Sequence, residues 1–409
     1  MSVRIALNHR TVYEYERAIA VHPQLIRLKP AAHCRTQILA YSLRIQPTKH
    51  FLNWQQDPAG NFVARIVVPE RTRVFSFEVD LIAELSAINP FDFFIDEAAK
   101  TFPFQYDPAL DGQLAPYRHS AAGSAIIASP RYIDYLAECR DLIGLPADSA
   151  KSGEVEIDTI QSLVRLNQKI AGDVRYLIRL EPGVQSPDET LSAGSGSCRD
   201  AAVLLLHFLR DLGFAARFVS GYLIQLAMDP ERMRTLSALH PEAPQGPGED
   251  FTDLHAWTEV YIPGAGWVGL DSTSGLLTGE GHIPLAATPD AAGAAPVTGA
   301  TEPAESELDF RMSVRRLREA ASSGRPLPQA APLETRSETN APARLAASTD
   351  RTDETATDEL AAIADIPAIA GRVDDDLSRQ GIRLSMGGEP TFVAFDSPDA
   401  EEWNLGAQG

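Results

Sequence analysis

Cysteine is scarce in this sequence. There are three in 409 residues, Cys34, Cys139 and Cys198, and none belongs to a C-x-x-C pair. That spacing argues against a cysteine zinc site, and the odd count points to reduced thiols in the cytoplasm. Long apolar runs are also missing. The longest stretch, Ala201–Leu209, is broken by His207 and is far too short to span a bilayer. The opening residues, Met1–Arg17, have no apolar core of the kind that marks a secretory signal, so a cytoplasmic location is the expectation. Positive charge is in short supply, with 36 Lys and Arg against 56 Asp and Glu for a net charge of −20. Nonspecific nucleic-acid binding needs basic surface to displace counterions, and a polybasic patch is needed for anionic lipid, so neither partner is expected. No Gly-rich phosphate loop with a following Lys-Ser/Thr occurs, since Gly194-Ser-Gly196 lacks that ending. Internal repeats are absent too.

The sequence is 44% hydrophobic, which is enough for well-packed cores, and its length suits two or three domains. The acidity is uneven. Residues 301–409 hold 11 Lys and Arg against 21 Asp and Glu, half of the net charge in the last quarter. Such asymmetry marks an acidic tail or linker rather than an acidic fold.

Alternation with period 2 dominates the first 90 residues. Val3, Ile5 and Leu7, then Leu39 to Ile45, Phe62 to Val68 and Val74 to Leu85, read as strands with one buried face. Asp57-Pro-Ala-Gly60-Asn61 reads as a turn between two of them. A connector then runs to about Ala128. The period becomes helical at Ser129-Pro130, an N-cap with proline at the first helical position. Further helices are expected over Ile157–Ile170, after the capping box Ser186-Pro187-Asp188-Glu189, and from Cys198 to Leu212 with Gly213 as the cap. Strands follow at Ala215–Gln225, Leu254–Ile262 and Trp267–Asp271, and the alternation of Leu308, Phe310, Met312 and Val314 suggests one more strand closing this domain. The expected class is α+β. An antiparallel β domain with its connector (1–128) precedes a core (129–318) in which a helix-borne Cys packs on an antiparallel sheet. A disordered low-complexity linker with a helical stretch follows (319–380), then a short terminal segment (381–409).

Cys198 follows a Gly/Ser loop and opens an apolar helix. Unpaired N–H groups and the positive end of the helix dipole favour thiolate there, the form that acts as a nucleophile. Arg199 adds positive charge beside it. A thiolate nucleophile needs a base, and the base needs an orienting acceptor. His255 shares one strand face with Trp257, Glu259 and Tyr261, and Asp271 ends the next strand after the turn Pro263-Gly-Ala-Gly266. A hairpin brings the end of its second strand back towards the start of its first, so Asp271 falls near His255. Cys-His-Asp in this order is the arrangement of thiol acyl transfer. Trp257, Tyr222 and Trp267 are candidates for the substrate-binding cleft. Cys34 and Cys139 read as structural and His207 as a hydrogen-bonded helix residue. His33, His240 and His282 lack an acidic cluster at ligand spacing, so no metal and no other cofactor is expected.

Three stretches resemble the bacterial transglutaminase-like family: Gly196-Ser-Cys198-Arg-Asp-Ala201, His255-Ala-Trp-Thr-Glu-Val-Tyr261 and Gly266-Trp-Val-Gly-Leu-Asp271-Ser-Thr273. Tyr176 and Pro182–Leu191 extend the resemblance, and His33-Cys-Arg-Thr36, Phe51–Asp57 and Asn89–Phe94 resemble the β domain that precedes the core in that family. Ser272 stands where the family often has proline, which alters the turn rather than the three residues. The resemblance implies a papain-like core in which Cys198 is the nucleophile, His255 the base and then acid, and Asp271 its orienting partner. Residues 381–409 resemble the start of a large C-terminal domain of longer members, which suggests a truncated architecture and a partner chain supplying the remainder.

The expected function is therefore a thiol-dependent acyl-transfer enzyme. It would form a thioester with a peptide or glutamine carbonyl of a peptide or protein substrate and resolve it by hydrolysis. Transfer to a lysine amine, giving crosslinks, is the second reading, and a noncatalytic binding module built on the same scaffold is the third.

Overall fold

The structure is a computed structural model that describes residues 2–118, 129–146, 157–179, 183–228, 247–317, 382–384 and 390–392. The expected linker at 319–380 lies outside the described residues. Two compact units are present, Met1–Arg316 and Leu317–Gly409. In the second, Ile382–Leu384 and Pro390–Phe392 pair as an antiparallel hairpin.

The first unit is α+β. Six strands open it: β1 (Ser2–Ile19), β2 (Gln24–Ile26), β3 (Gln37–Gln46), β4 (Phe51–Gln56), β5 (Phe62–Val67) and β6 (Thr72–Ser86). Along β1, Ile5, Leu7, His9 and Thr11 are buried at every second position, as the period-2 pattern requires. A short β7 (Thr101–Phe102) and α1 (Pro108–Arg118) connect to α2 (Pro130–Leu142), where Ser129 Oγ accepts from the Tyr132 N–H as the sequence expects. Next come β8 (Ile157–Asp158), α3 (Thr159–Asp173), β9 (Arg175–Tyr176), α4 (Pro187–Ala193), β10 (Ser195–Gly196) and α5 (Cys198–Asp211). A five-stranded antiparallel sheet follows in the order β14-β13-β12-β11-β15. Its strands are β11 (Ala216–Gln225), β12 (Phe251–Ile262), β13 (Gly266–Asp271), β14 (Leu276–Leu277) and β15 (His282–Thr288).

The chain then returns to its beginning. β16 (Val297–Thr298) joins a sheet of order β16-β2-β5-β4, and β17 (Ser306–Arg316) joins one of order β17-β1-β6-β3. The strand expected to close the core therefore forms, but on the free edge of β1, from Ile5 opposite Arg316 to Tyr15 opposite Ser306. Alternation announces a strand without naming its neighbour.

Two apolar cores result. One surrounds α5, twelve of whose fourteen residues are buried. The other lies inside the N-terminal sheets and takes in Tyr222, Ile224, Ile283 and Leu285 from the five-stranded sheet. A polar pin joins the same regions. The Asp57–Asn61 turn, with Gly60 at φ 85°, presents Asn61, whose Nδ2 donates to the Ala287 carbonyl at 3.0 Å and whose Oδ1 accepts from the Ala287 N–H at 2.8 Å.

Candidate active site

Cys198 stands at the first position of α5, and the loop before it is built to put it there. The Ser186–Glu189 capping box starts α4, which ends at Gly194 in the left-handed region at φ 56°. Ser195 and Gly196 then pair in parallel with Arg175 and Tyr176. Gly196 must be glycine, because a Cβ there would lie 2.8 Å from Asp200 Cβ. Asp200, fully buried in the first turn of α5, accepts from the Ser197 N–H and Oγ at 2.8 Å each and from the Gln185 N–H at 2.7 Å, and it pairs with Arg179 at 3.0 Å. The nucleophile loop is thereby folded around one carboxylate. At the first helical position the Cys198 N–H has no partner within the helix and can act as an oxyanion donor.

His255 lies on β12 opposite Gly221 of β11. Gly221 has no room for a side chain, since a Cβ would stand 2.4 Å from both the Trp257 ring and the Ile283 carbonyl. On the other face of β12, Thr258 Oγ1 donates to the Ala202 carbonyl at 2.8 Å and fixes the strand to the Cys198 helix. Asp271 ends β13. Its Oδ1 accepts from the Thr273 N–H and its Oδ2 from Ser274 Oγ, both at 2.9 Å. Asn167 of α3 donates to its carbonyl at 3.2 Å and to that of Leu276 at 3.0 Å, which locks the turn beyond the strand.

The structure brings the three expected residues together. His255 Nε2 is 3.1 Å from Asp271 Oδ1, with both side chains buried. The contact lies off the line of an ideal hydrogen bond and acts as an ion pair. Cys198 is the other side chain that acts on this ring, since it joins Asp271 in raising the proton affinity of His255. Burial alone would lower the proton affinity of His255, but Asp271 and Cys198 outweigh it and push the pKa up to about 10. Burial would raise that of Asp271, yet the two histidines beside it, His255 and His282, hold the carboxyl well below the usual range.

Of the expected cleft residues, Tyr222 is a correction. It points to the opposite face from His255, is fully buried in the core of the N-terminal sheets, and its hydroxyl is 2.9 Å from His9 Nδ1. Its strand partner is Leu254, and one residue of offset along a strand turns the side chain to the other face. Trp257 and Trp267 do line a cavity of about 410 Å³, together with His33, Arg217, Glu259 and His282. Cys198 and His255 are not among its lining residues; Trp257 and His282 form the shared wall. Glu259 and Arg217 make a buried ion pair there at 2.6 Å. Burial opposes the charge on Glu259, but Arg217 and His33 hold its pKa near about 2.

Sequence reasoning set His282 aside for want of an acidic neighbour. The neighbour is Asp271, which antiparallel pairing of β15 with β11 brings within 3.5 Å of its Nε2. Asn167 and the Arg217–Glu259 pair carry no local signal in the sequence, and Asp200 shows only its place in the first turn of the Cys198 helix. His255, Asp271 and His282 offer atoms within 4.8 Å of one another, the spacing of a metal centre. The donor set does not suit one. His282 Nδ1 accepts from the Gly279 N–H at 3.2 Å, so in the neutral ring Nε2 carries the proton and has no lone pair to give. A ligating histidine has the reverse arrangement, donating through its second nitrogen.

Comparison with known proteins agrees with this architecture. Residues 5–84 match the family model of the bacterial transglutaminase-like N-terminal region, and residues 150–272 match that of the transglutaminase-like superfamily. Residues 344–409 match a family described as a proposed amidoligase enzyme (DUF2126). Uncharacterised proteins of Mycobacterium tuberculosis and Mycobacterium bovis are 27% identical over 300 residues, covering 72% of this chain and 87% of theirs. A solved structure from Cytophaga hutchinsonii, proposed to be a cysteine protease, superposes with a TM-score of 0.53 at 18% identity, over 78% of this chain and 92% of that one. Among the described residues, no helix is long and apolar enough to cross a membrane.

Proposed function

We propose that this chain, a bacterial transglutaminase-like N-terminal region followed by a transglutaminase-like core, is a thiol-dependent acyl-transfer enzyme that works as a hydrolase on peptide or glutamine carbonyls. The observation that carries the reading is the buried group of Cys198, His255 and Asp271, in which the imidazole is raised and the carboxyl lowered in proton affinity by contact with each other. Such opposed shifts favour an imidazolium held against a carboxylate, the base and its orienting partner that a neighbouring thiol nucleophile needs.

In this reading Cys198 passes its proton to His255 and its sulfur attacks the carbonyl carbon. The oxyanion is met by the Cys198 N–H. The C–N bond breaks and the amine departs with the proton held by His255, leaving a thioester. Water then attacks with His255 taking its proton, the C–S bond breaks, and a carboxylic acid leaves as the thiol is restored. Hydrolysis is preferred to amine transfer because the similar fold from Cytophaga hutchinsonii is proposed to be a cysteine protease.

Incubation of the whole chain with a glutamine-containing peptide library, with and without a primary amine, separates the readings by mass spectrometry. Hydrolysis products that appear in both samples and vanish in Cys198→Ala are expected. Incorporation of the amine in place of water would establish transfer instead.

A further inference from the structure

We propose that His282 is a positioning residue of this centre, its Nε2–H facing Asp271 so that one carboxylate is shared between two imidazoles. The inference rests on the thiol-enzyme reading and deepens it.

Geometry fixes the proton first. The Gly279 N–H donates to His282 Nδ1 at 3.2 Å, so in the neutral ring the proton is on Nε2. That nitrogen has no other partner and lies 3.5 Å from Asp271 Oδ2, while Oδ1 serves His255 at 3.1 Å. The His282 ring is held edge-on to Trp257, with centroids 5.3 Å apart at 86°. It sits on β15, a different strand from either of its neighbours in the cluster. The titratable groups that share its cavity are Glu259 on β12 with its partners Arg217 and His33, and those around the His255–Asp271 pair are Cys198 on α5, Tyr176 on β9 and Asp253 on β12.

The chemical need follows. A buried carboxylate facing a single imidazole would hold that imidazole as its cation too firmly. His255 must both take a proton and give it up, and a general acid works best with a proton affinity near the working pH. A second N–H directed at Oδ2 draws charge from the carboxylate and weakens its field at His255. Asp271 itself stays in place through Thr273 and Ser274, so loss of His282 changes the charge at Oδ1 more than the position of the carboxylate.

The test is the pH profile of Cys198 carboxymethylation by iodoacetate, read by peptide mass in the whole chain. This anionic probe reacts fastest while His255 is protonated, so the rate falls as the imidazolium loses its proton. His282→Phe keeps a ring against Trp257 and removes the N–H. It should move the falling limb upward by about half a pH unit or more. His282→Gln, which keeps an N–H donor, should return the limb part of the way. An unmoved or lowered limb in His282→Phe overturns the proposal, and a uniform loss of rate without a shift counts as that outcome. If Cys198 is not labelled ahead of Cys34 and Cys139, the thiol reading itself fails, which is a distinct result. Should His282→Phe not fold, imidazole 15N–1H correlations of the unsubstituted chain decide the matter. The neutral Nε2–H form of His282 is expected, and the Nδ1–H form contradicts the proposal.

Discussion

Asp200 shows how much one buried side chain can organise. It gathers the Ser197 and Gln185 N–H groups and the Arg179 cation, and so sets the loop from which Cys198 projects. Asp200→Ala leaves those donors buried without an acceptor, and we expect it to cost about 2–4 kcal/mol in urea unfolding and to slow labelling of Cys198 as well. The charges at His255 and Asp271 carry a pH signature. His255 is raised in the fold, so its share of stability is complete below its ordinary value near 6.5 and is lost as pH rises towards about 10. Asp271 is lowered, so its share is present above the ordinary carboxyl value near 3.8 and is lost as pH falls below it. The stability difference between the wild type and Asp271→Asn should therefore be greatest between these two values and shrink on both sides. Urea midpoints measured across pH check this, and a difference independent of pH would contradict it.

At the scale of elements, what could be read from sequence is local. The Ser129 cap, the Ser186–Glu189 capping box, the Cys198 helix and the β12–β13 hairpin all stand where short-range pattern puts them, because each is decided within a few residues. What pattern left open depends on register and strand order. Tyr222 falls outside the cleft because its face is set by its pairing with Leu254, which alternation alone does not specify. His282 and the Asn61–Ala287 contact come from strands distant in the chain meeting at one place. Gly221 is a further case, as its lack of a side chain lets Trp257 pack over the strand beside His255. Gly221→Ala should displace that ring, lower the melting temperature by several degrees, and reduce Cys198 labelling, since it must push against both an indole and a backbone carbonyl.

For the whole molecule, the return of β16 and β17 to the N-terminal sheets makes Met1–Arg316 one compact unit rather than two beads in order. β17 covers one edge of β1 along most of that strand. A variant ending at residue 304 would leave this long edge with unpaired N–H and C=O groups, which invites pairing between molecules. We expect it to associate in light scattering while the chain through residue 317 stays monodisperse and unfolds in a single calorimetric transition. Two separate transitions would show the sheets and the core to be independent.

The central claim is a reactive thiol at Cys198, and selective alkylation tests it most directly. Burial pushes the Cys34 thiol up to about 11 and that of Cys139 up to about 12, so neither competes near neutral pH. Treatment of the whole chain with one equivalent of iodoacetamide at pH 6.5, mapped by peptide mass, should give a single adduct on Cys198 that is lost in His255→Ala. No adduct at Cys198, or one formed equally fast without His255, would contradict the account.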